Sequence, residues 1–276
     1  MAETIVELLT DVADAIREKK GTSDKINAQN FANEIRSIEG GGEVQNTMGF
    51  TAEVYDATKI GVNNIRTIRV ADGVKTLDVQ TFGNFKNVEE LSIPASVTSV
   101  GILFVSPARL KTIIVDDNNT TYDSRGNCNA IIKKETLYNK NTLILGGNLT
   151  IIPDDVEALS YASMQGALLI EHIDVPPLVT SISSYAFAEC TALKRVIVKG
   201  NITQIATYAF FNDTAMEVYD FTQCTSIPTL SSINAFNKIP TTCKIVVPDV
   251  LCDKWKAATN WSTYADRIVK ASEYNG

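Results

Sequence analysis

The stretch Tyr185–Phe221 reads as one unit written twice. YAFAECTALKRVIV is followed by YAFFNDTAMEVYDF, and Leu193, Val196 and Val198 return 23 residues later as Met216, Tyr219 and Phe221. A fixed period of this size constrains the fold more than composition can, because one such unit cannot bury its own apolar face and needs a neighbour stacked on each side. Written as apolar-x-x-apolar-x-apolar, the repeat strand recurs at Ile65/Ile68/Val70, Val88/Leu91/Ile93, Leu110/Ile113/Val115, Ile170/Ile173/Val175, Leu193/Val196/Val198 and Met216/Tyr219/Phe221. Poorer copies at Leu143/Leu145 and Ile245/Val247 bring the count to eight. Six residues before six of these strands stands a large side chain, Phe82, Phe104, Met164, Phe187, Phe210 or Phe236, forming a column suited to stacking between layers. Alternation turns the fourth and sixth strand positions inward and the third and fifth outward. The expected fold is an α/β solenoid, mainly β, over residues 65–248, with one continuous parallel sheet on its concave face.

The flanks break the period. Ile5, Leu8, Leu9, Val12 and Ile16 share one helical face that Gly21 ends, and Phe31, Ile35 and Ile38 continue a second helix after Asn27. This helical hairpin, residues 1–42, is too small for a self-sufficient core. Its apolar residues Ile5, Leu8, Leu9, Val12, Ile16, Phe31 and Ile35 are therefore expected either to dock on a carrier protein or to cap the first repeat. The glycine-rich connection Glu39–Gly49 favours docking, because it would let the hairpin move on its own. Residues 43–64 are read as linker and capping segment. Residues 116–147 form an insertion in which Ala130–Ile132 and Thr142–Leu145 flank a polar turn, as in a β-hairpin extending from the solenoid edge. Residues 249–276 are expected to close the array, with Val250, Leu251, Trp255 and Ala258 on a short amphipathic helix and Trp261 and Tyr264 over the last layer.

Chemistry is scarce. The net charge of −7 argues against a nucleic-acid partner or a polybasic membrane contact. No run of 18 apolar residues exists to insert in a bilayer, and Met1-Ala2-Glu3 opens an acidic amphipathic segment rather than a secretory leader. The five cysteines are odd in number and lack a C-x-x-C pair, so they are expected as buried free thiols. His172 is the single histidine, and no nucleophile elbow or phosphate loop accompanies it, so no enzyme, cofactor or metal is expected. The oxygen-rich run Asp116, Asp117, Asn118, Asn119 and Asp123 fits no calcium-loop spacing, and such residues are common in turns.

What remains is surface. The outward columns contain Arg69, Glu90, Ile114, Ile144, His172, Asp174, Arg195, Ile197 and Asp220, a charged face with exposed aliphatic residues. Such a face suits a docked protein or glycan, although β-branched residues also sit in strands for propensity alone.

The A-F-x-x-C-x-x-L-x-x-I-x-V pattern at Ala186–Val198, the P-x-x-V-T-S phrase at Pro94–Val100 with its counterpart at Pro177–Ile182, and YDSRGNCNAII at Tyr122–Ile132 resemble the BspA-like, or Treponema pallidum type, leucine-rich repeat proteins. The resemblance implies a right-handed superhelix and a non-enzymatic binding role. The first forty residues resemble a module near the N-termini of tail and other virion proteins of gut-bacterial phages. That likeness implies a virion protein, assembled in the bacterial cytoplasm, whose hairpin attaches to a carrier and whose repeats meet a bacterial-surface protein or glycan. The alternative is a cell-surface or secreted adhesin of the same fold. A homo-oligomer is open, because short amphipathic hairpins associate in twos or threes.

Overall fold

A computed structural model describes residues 47–50 and 65–275, except 80, 103–104 and 138–139. The hairpin of residues 1–42, with its docking residues, lies outside the described residues, as do Phe104 and most of the 43–64 segment. In chain order the described strands are β1 (Thr47–Phe50), β2 (Thr67–Val70), β3 (Thr76–Leu77), β4 (Glu90–Ile93), β5 (Ser99–Val100), β6 (Thr112–Val115), β7 (Tyr122–Asp123), β8 (Ala130–Lys133) and β9 (Thr142–Gly146). They continue as β10 (Ala158–Leu159), β11 (His172–Val175), β12 (Ser181–Ile182), β13 (Arg195–Val198), β14 (Gln204–Ile205), β15 (Val218–Asp220), β16 (Thr229–Leu230), β17 (Lys244–Val247) and β18 (Ile268–Lys270).

The repeat period becomes register. Ile173, Val196 and Tyr219 face one another across β11, β13 and β15, and Ile68, Leu91 and Ile113 do so across β2, β4 and β6. Each of these six side chains is buried, at the fourth strand position that alternation assigns to the core. Phe82, Met164, Phe187, Phe210 and Phe236 are buried as well, and the rings of Phe187, Phe210 and Phe236 stack with centroids 5.5 and 5.2 Å apart. Two-residue strands, in the two-stranded sheet β3–β5 and the three-stranded sheet β12–β14–β16, tie the layers together a second time. β1 pairs in parallel with β2, so residues 47–49 of the expected flexible connection extend the sheet instead. Residues 47–50 lack the apolar-x-x-apolar-x-apolar pattern by which the repeat strands are read.

One continuous sheet is not what forms. The repeat strands divide into the parallel sheets β1-β2-β4-β6 and β11-β13-β15-β17-β18, and the insertion occupies the space between them as β7, β8 and β9, paired antiparallel, with β10 parallel to β9. The expected hairpin does not project from the edge. Ile131 and Leu145 pack into the core that serves β2–β6, whereas Ala130, Ile132 and Leu143 pack into the core that runs on to Ile268. The insertion is thus a wall between two cores, and its consecutive apolar residues are explained by cover on both faces. Asn148 fastens this wall: its Nδ2 donates to the carbonyls of Pro107, Ala108 and Leu110, and its Oδ1 accepts from Leu169 N. Gly147 passes so close that a Cβ there would lie 2.4 Å from the Leu110 carbonyl oxygen, which only glycine avoids.

At the other end β18 pairs with β17, and a helix spans Cys252–Ala257. Trp255 and Trp261 are fully buried, Trp261 Nε1 donating to Pro228 O at 2.8 Å and the Tyr264 hydroxyl donating to Ile233 O. Val250, expected on the apolar face of that helix, is 87% exposed because it precedes the helix in a 3-10 turn.

All five cysteines are free and buried. Burial pushes the thiols of Cys128, Cys190, Cys224 and Cys243 up, the last to about 12. Thiolate is the reactive form. A thiol reagent such as DTNB should therefore leave the folded protein unlabelled over minutes at pH 8 and modify all five cysteines in urea. Rapid labelling without denaturant would show that a layer opens locally.

Candidate functional site

The outward face of the repeat strands is built by the ladder. Its third-position row runs Thr67, Glu90, Thr112 on the first sheet and His172, Arg195, Val218, Lys244 on the second. The fifth-position row runs Arg69, Ser92, Ile114 and Asp174, Ile197, Asp220, Val246. Arg69, Glu90 and Ile114 are exposed, as is His172, while Asp174, Arg195, Ile197 and Asp220 are half-buried.

The expected aliphatic column does not assemble. Ile114 is 53% exposed on the first sheet and Ile197 lies on the second, separated by the insertion. Ile144 belongs to β9 and packs against the first core. Val246 is buried, at 2% exposure, so outward alternation there does not bring solvent contact.

Charge forms the better-defined cluster. His172 Nε2 lies 2.7 Å from Asp174 Oδ1, and Lys199 Nζ lies 2.8 Å from Asp174 Oδ2. Partial burial pushes the Asp174 carboxyl up, but the Lys199 hydrogen bond and the charges of His172 and Lys199 outweigh it and hold the group below its ordinary range. Arg195 reaches toward Asp220 at 3.9 Å, and Asp220 Oδ1 accepts from Thr222 N and Oγ1. Lys194 and Glu171 pair alongside at 2.8 Å. The outcome is a surface of alternating sign across three strands. Lys199 was missed from the sequence because it follows its strand, yet it stands two residues beyond Ile197, so carrying the alternation one step further would have found it.

Other candidates resolve as scaffolding. Asp116 Oδ1 accepts from Asn118 N, and Asn119 joins the carbonyls of Pro94 and Val97 while accepting from Thr121 N and Tyr122 N. Asp123 is held by Arg125 at 2.7 Å. Among the described residues no group of three or more His, Cys, Asp or Glu side chains is placed to hold a metal ion. Nor is any described helix long and apolar enough to cross a membrane.

The family model for the BspA type leucine rich repeat region matches residues 57–131 and 130–239, in six copies. The chain belongs to that family. Among solved structures, this BspA-type protein is similar to a leucine rich cell surface protein from Faecalibacterium prausnitzii, at 18% identity and a TM-score of 0.44, covering 67% of this chain and 60% of the other. It is also similar to the pneumococcal vaccine antigen PcpA, at 13% identity and a TM-score of 0.47, covering 84% and 71%. A leucine-rich repeat protein from Eubacterium ventriosum gives 16% identity and a TM-score of 0.44, covering 74% and 73%. No curated protein matches the chain.

Proposed function

We propose that this BspA-type protein is a non-enzymatic binding protein that works at a bacterial cell surface or after secretion, and that it holds a protein or glycan on the outward face of its repeat strands. The observation that carries this reading is the alternating-charge surface on β11, β13 and β15, where His172, Asp174 and Lys199 are linked and Arg195 and Asp220 face each other. Ordered charges of both signs, flanked by the half-exposed Ile197, give a partner both orientation and apolar contact. Arg69, Glu90 and Ile114 on the first sheet offer a second contact zone. Family membership supports the reading, since a leucine rich repeat sets these side chains in outward rows along paired strands.

The test is binding of the intact protein to a glycan array and to immobilised host extracellular-matrix proteins. A ligand found there should bind His172→Ala/Ile197→Asp at least about tenfold more weakly, a loss of about 1.4 kcal/mol, with the melting temperature little changed. Undiminished binding would move the site off this face. By contrast Ile144→Asp should destabilise the fold, because that side chain packs on the first core.

A virion-borne protein whose N-terminal hairpin grips a carrier is the second reading, carried by the resemblance of residues 1–42 alone. Mass spectrometry of purified phage particles decides between them: presence of the chain favours the virion and absence favours the surface protein.

A further inference from the structure

The turns of the later layers carry a short ladder of tyrosines. Tyr185 and Tyr208 stand 23 residues apart, each two places before a column phenylalanine, Phe187 or Phe210. Both have left-handed backbone, at φ 59° and 62°, so the two side chains leave their layers at the same angle. Their rings lie over one another, with centroids 5.1 Å apart and planes 30° from parallel. Tyr161, 45% exposed, adds a third ring 5.5 Å from Tyr185, tilted by 53°. In the following layer Asn234 takes the tyrosine's place, and its Nδ2 reaches the Tyr208 hydroxyl at 3.5 Å, which ends the ladder.

Two observations set these rings apart from ordinary packing. A bulky side chain is rare in left-handed backbone, where glycine or asparagine costs little, and both tyrosines occupy it. Second, the neighbouring rings of Phe187 and Phe210 have no solvent exposure, whereas Tyr185 and Tyr208 are only half-buried. Among the described residues, tyrosine rings meet one another only in this ladder. Tyr122 and Tyr219 are buried, and so are all five cysteines, the side chains that would otherwise quench a tyrosyl radical. Two accessible phenols held face to face are placed to couple.

We propose that Tyr185 and Tyr208 form an oxidative cross-linking site, which a haem peroxidase acting with hydrogen peroxide closes into a dityrosine. Each phenol gives up one electron and its hydroxyl proton. The two radicals join through a new Cε–Cε bond, and the hydrogens on those two carbons move to the phenol oxygens, restoring both hydroxyl groups. Peroxide takes up the two electrons and two protons, its O–O bond breaks, and two waters leave. The link ties consecutive layers through residues 23 apart and restrains the unfolded chain as a disulfide would. It stands whether or not the charged surface on β11–β15 binds anything.

The test treats the full chain, at low concentration, with a haem peroxidase and hydrogen peroxide. Dityrosine fluorescence should rise while the chain still runs as a single chain on a denaturing gel, with an unchanged yield per chain on tenfold dilution. Peptide mass spectrometry should find the Tyr185 and Tyr208 peptides joined and lighter by two hydrogens. Tyr185→Phe keeps the ring and should cut the fluorescence at least tenfold, whereas Tyr208→Phe should cut it at least fivefold, Tyr161 remaining as a more tilted partner. The linked chain should melt at least about 5 °C above the untreated one, and Tyr185→Phe should show no such rise after treatment. Absence of dityrosine would overturn the proposal. So would a link that forms only between chains, one mapped to residues other than Tyr185, or a yield that Tyr185→Phe leaves undiminished.

Discussion

Phe210→Ala should lower the unfolding free energy by about 3–5 kcal/mol, the range for a fully buried phenylalanine reduced to alanine. Phe210 has no solvent exposure, and its ring lies between those of Phe187 and Phe236, within 11° and 10° of parallel, with Tyr219 4.8 Å away. A void there weakens two layer interfaces together, because each layer of a repeat array touches its neighbours on both sides. Flanking aromatic rings cannot close on the space without giving up their own stacking, worth roughly 0.5–1.5 kcal/mol per pair. At about 2–4 °C per kcal/mol for a chain of this size, the melting temperature should fall by roughly 10 °C. The damage should also be unequal. Phe210 belongs to the core that runs from the insertion to Ile268, and the β2–β6 core lies across the β8–β9 wall. Calorimetry should thus show the unfolding endotherm broaden or split, as in repeat arrays whose cooperativity is lost. A loss under 1 kcal/mol with one sharp transition would mean that the column does not hold the layers together.

The repeat strands and the aromatic column were legible because both follow simple geometry. Alternation with a period of two places Ile173, Val196 and Tyr219 inside, and a fixed offset from the strand places Phe187, Phe210 and Phe236 over one another. The insertion was not legible in the same way. Ala130–Ile132 has the apolar run of a strand covered on both faces, but nothing local says that two separate cores provide the cover. For the same reason Ile144 was assigned to the binding face when its β9 belongs to a different sheet. Solvent exposure was less legible than direction: Val218 and Val246 hold outward positions and are buried, at 3% and 2% exposure. Charge pairing escaped because it depends on reach. Lys199 meets Asp174 across a strand boundary, and Arg125 meets Asp155 thirty residues away through the folded insertion.

Asp213 is where the repeat departs from its own rule. Three residues after the column stand Phe85, Ala167, Cys190 and Ile239 in other layers, all buried, and Asp213 takes the same place at no solvent exposure. Its Oδ1 accepts from Cys190 N at 3.0 Å, joining consecutive layers, while Oδ2 and the facing Tyr219 hydroxyl complete no hydrogen bond. Burial pushes this carboxyl well above its ordinary 3.8, more than the Cys190 N–H can offset. A raised carboxyl keeps in the folded state a proton that the unfolded chain releases. Its contribution to stability is therefore greatest at low pH, and falls by about 1.4 kcal/mol per pH unit from 3.8 upward until the folded group itself ionises. Asp174 and Glu89 act with the opposite sign, since their lowered carboxyls stabilise above the ordinary range and lose that effect as pH falls. Comparison with Asp213→Asn cancels those terms, which both chains share, while the amide keeps the acceptor for Cys190 N and cannot ionise. Urea unfolding from pH 4 upward should show Asp213→Asn gaining on the natural chain as pH rises, until the folded carboxyl ionises and the two run parallel. Asp213→Ala should lose the Asp213 contribution to the pH dependence too, but sit about 1–3 kcal/mol below Asp213→Asn, because Cys190 N–H is then buried without a partner. If the natural chain and Asp213→Asn run parallel over the whole range, Asp213 is ionised in the fold and the packing around it must open to water.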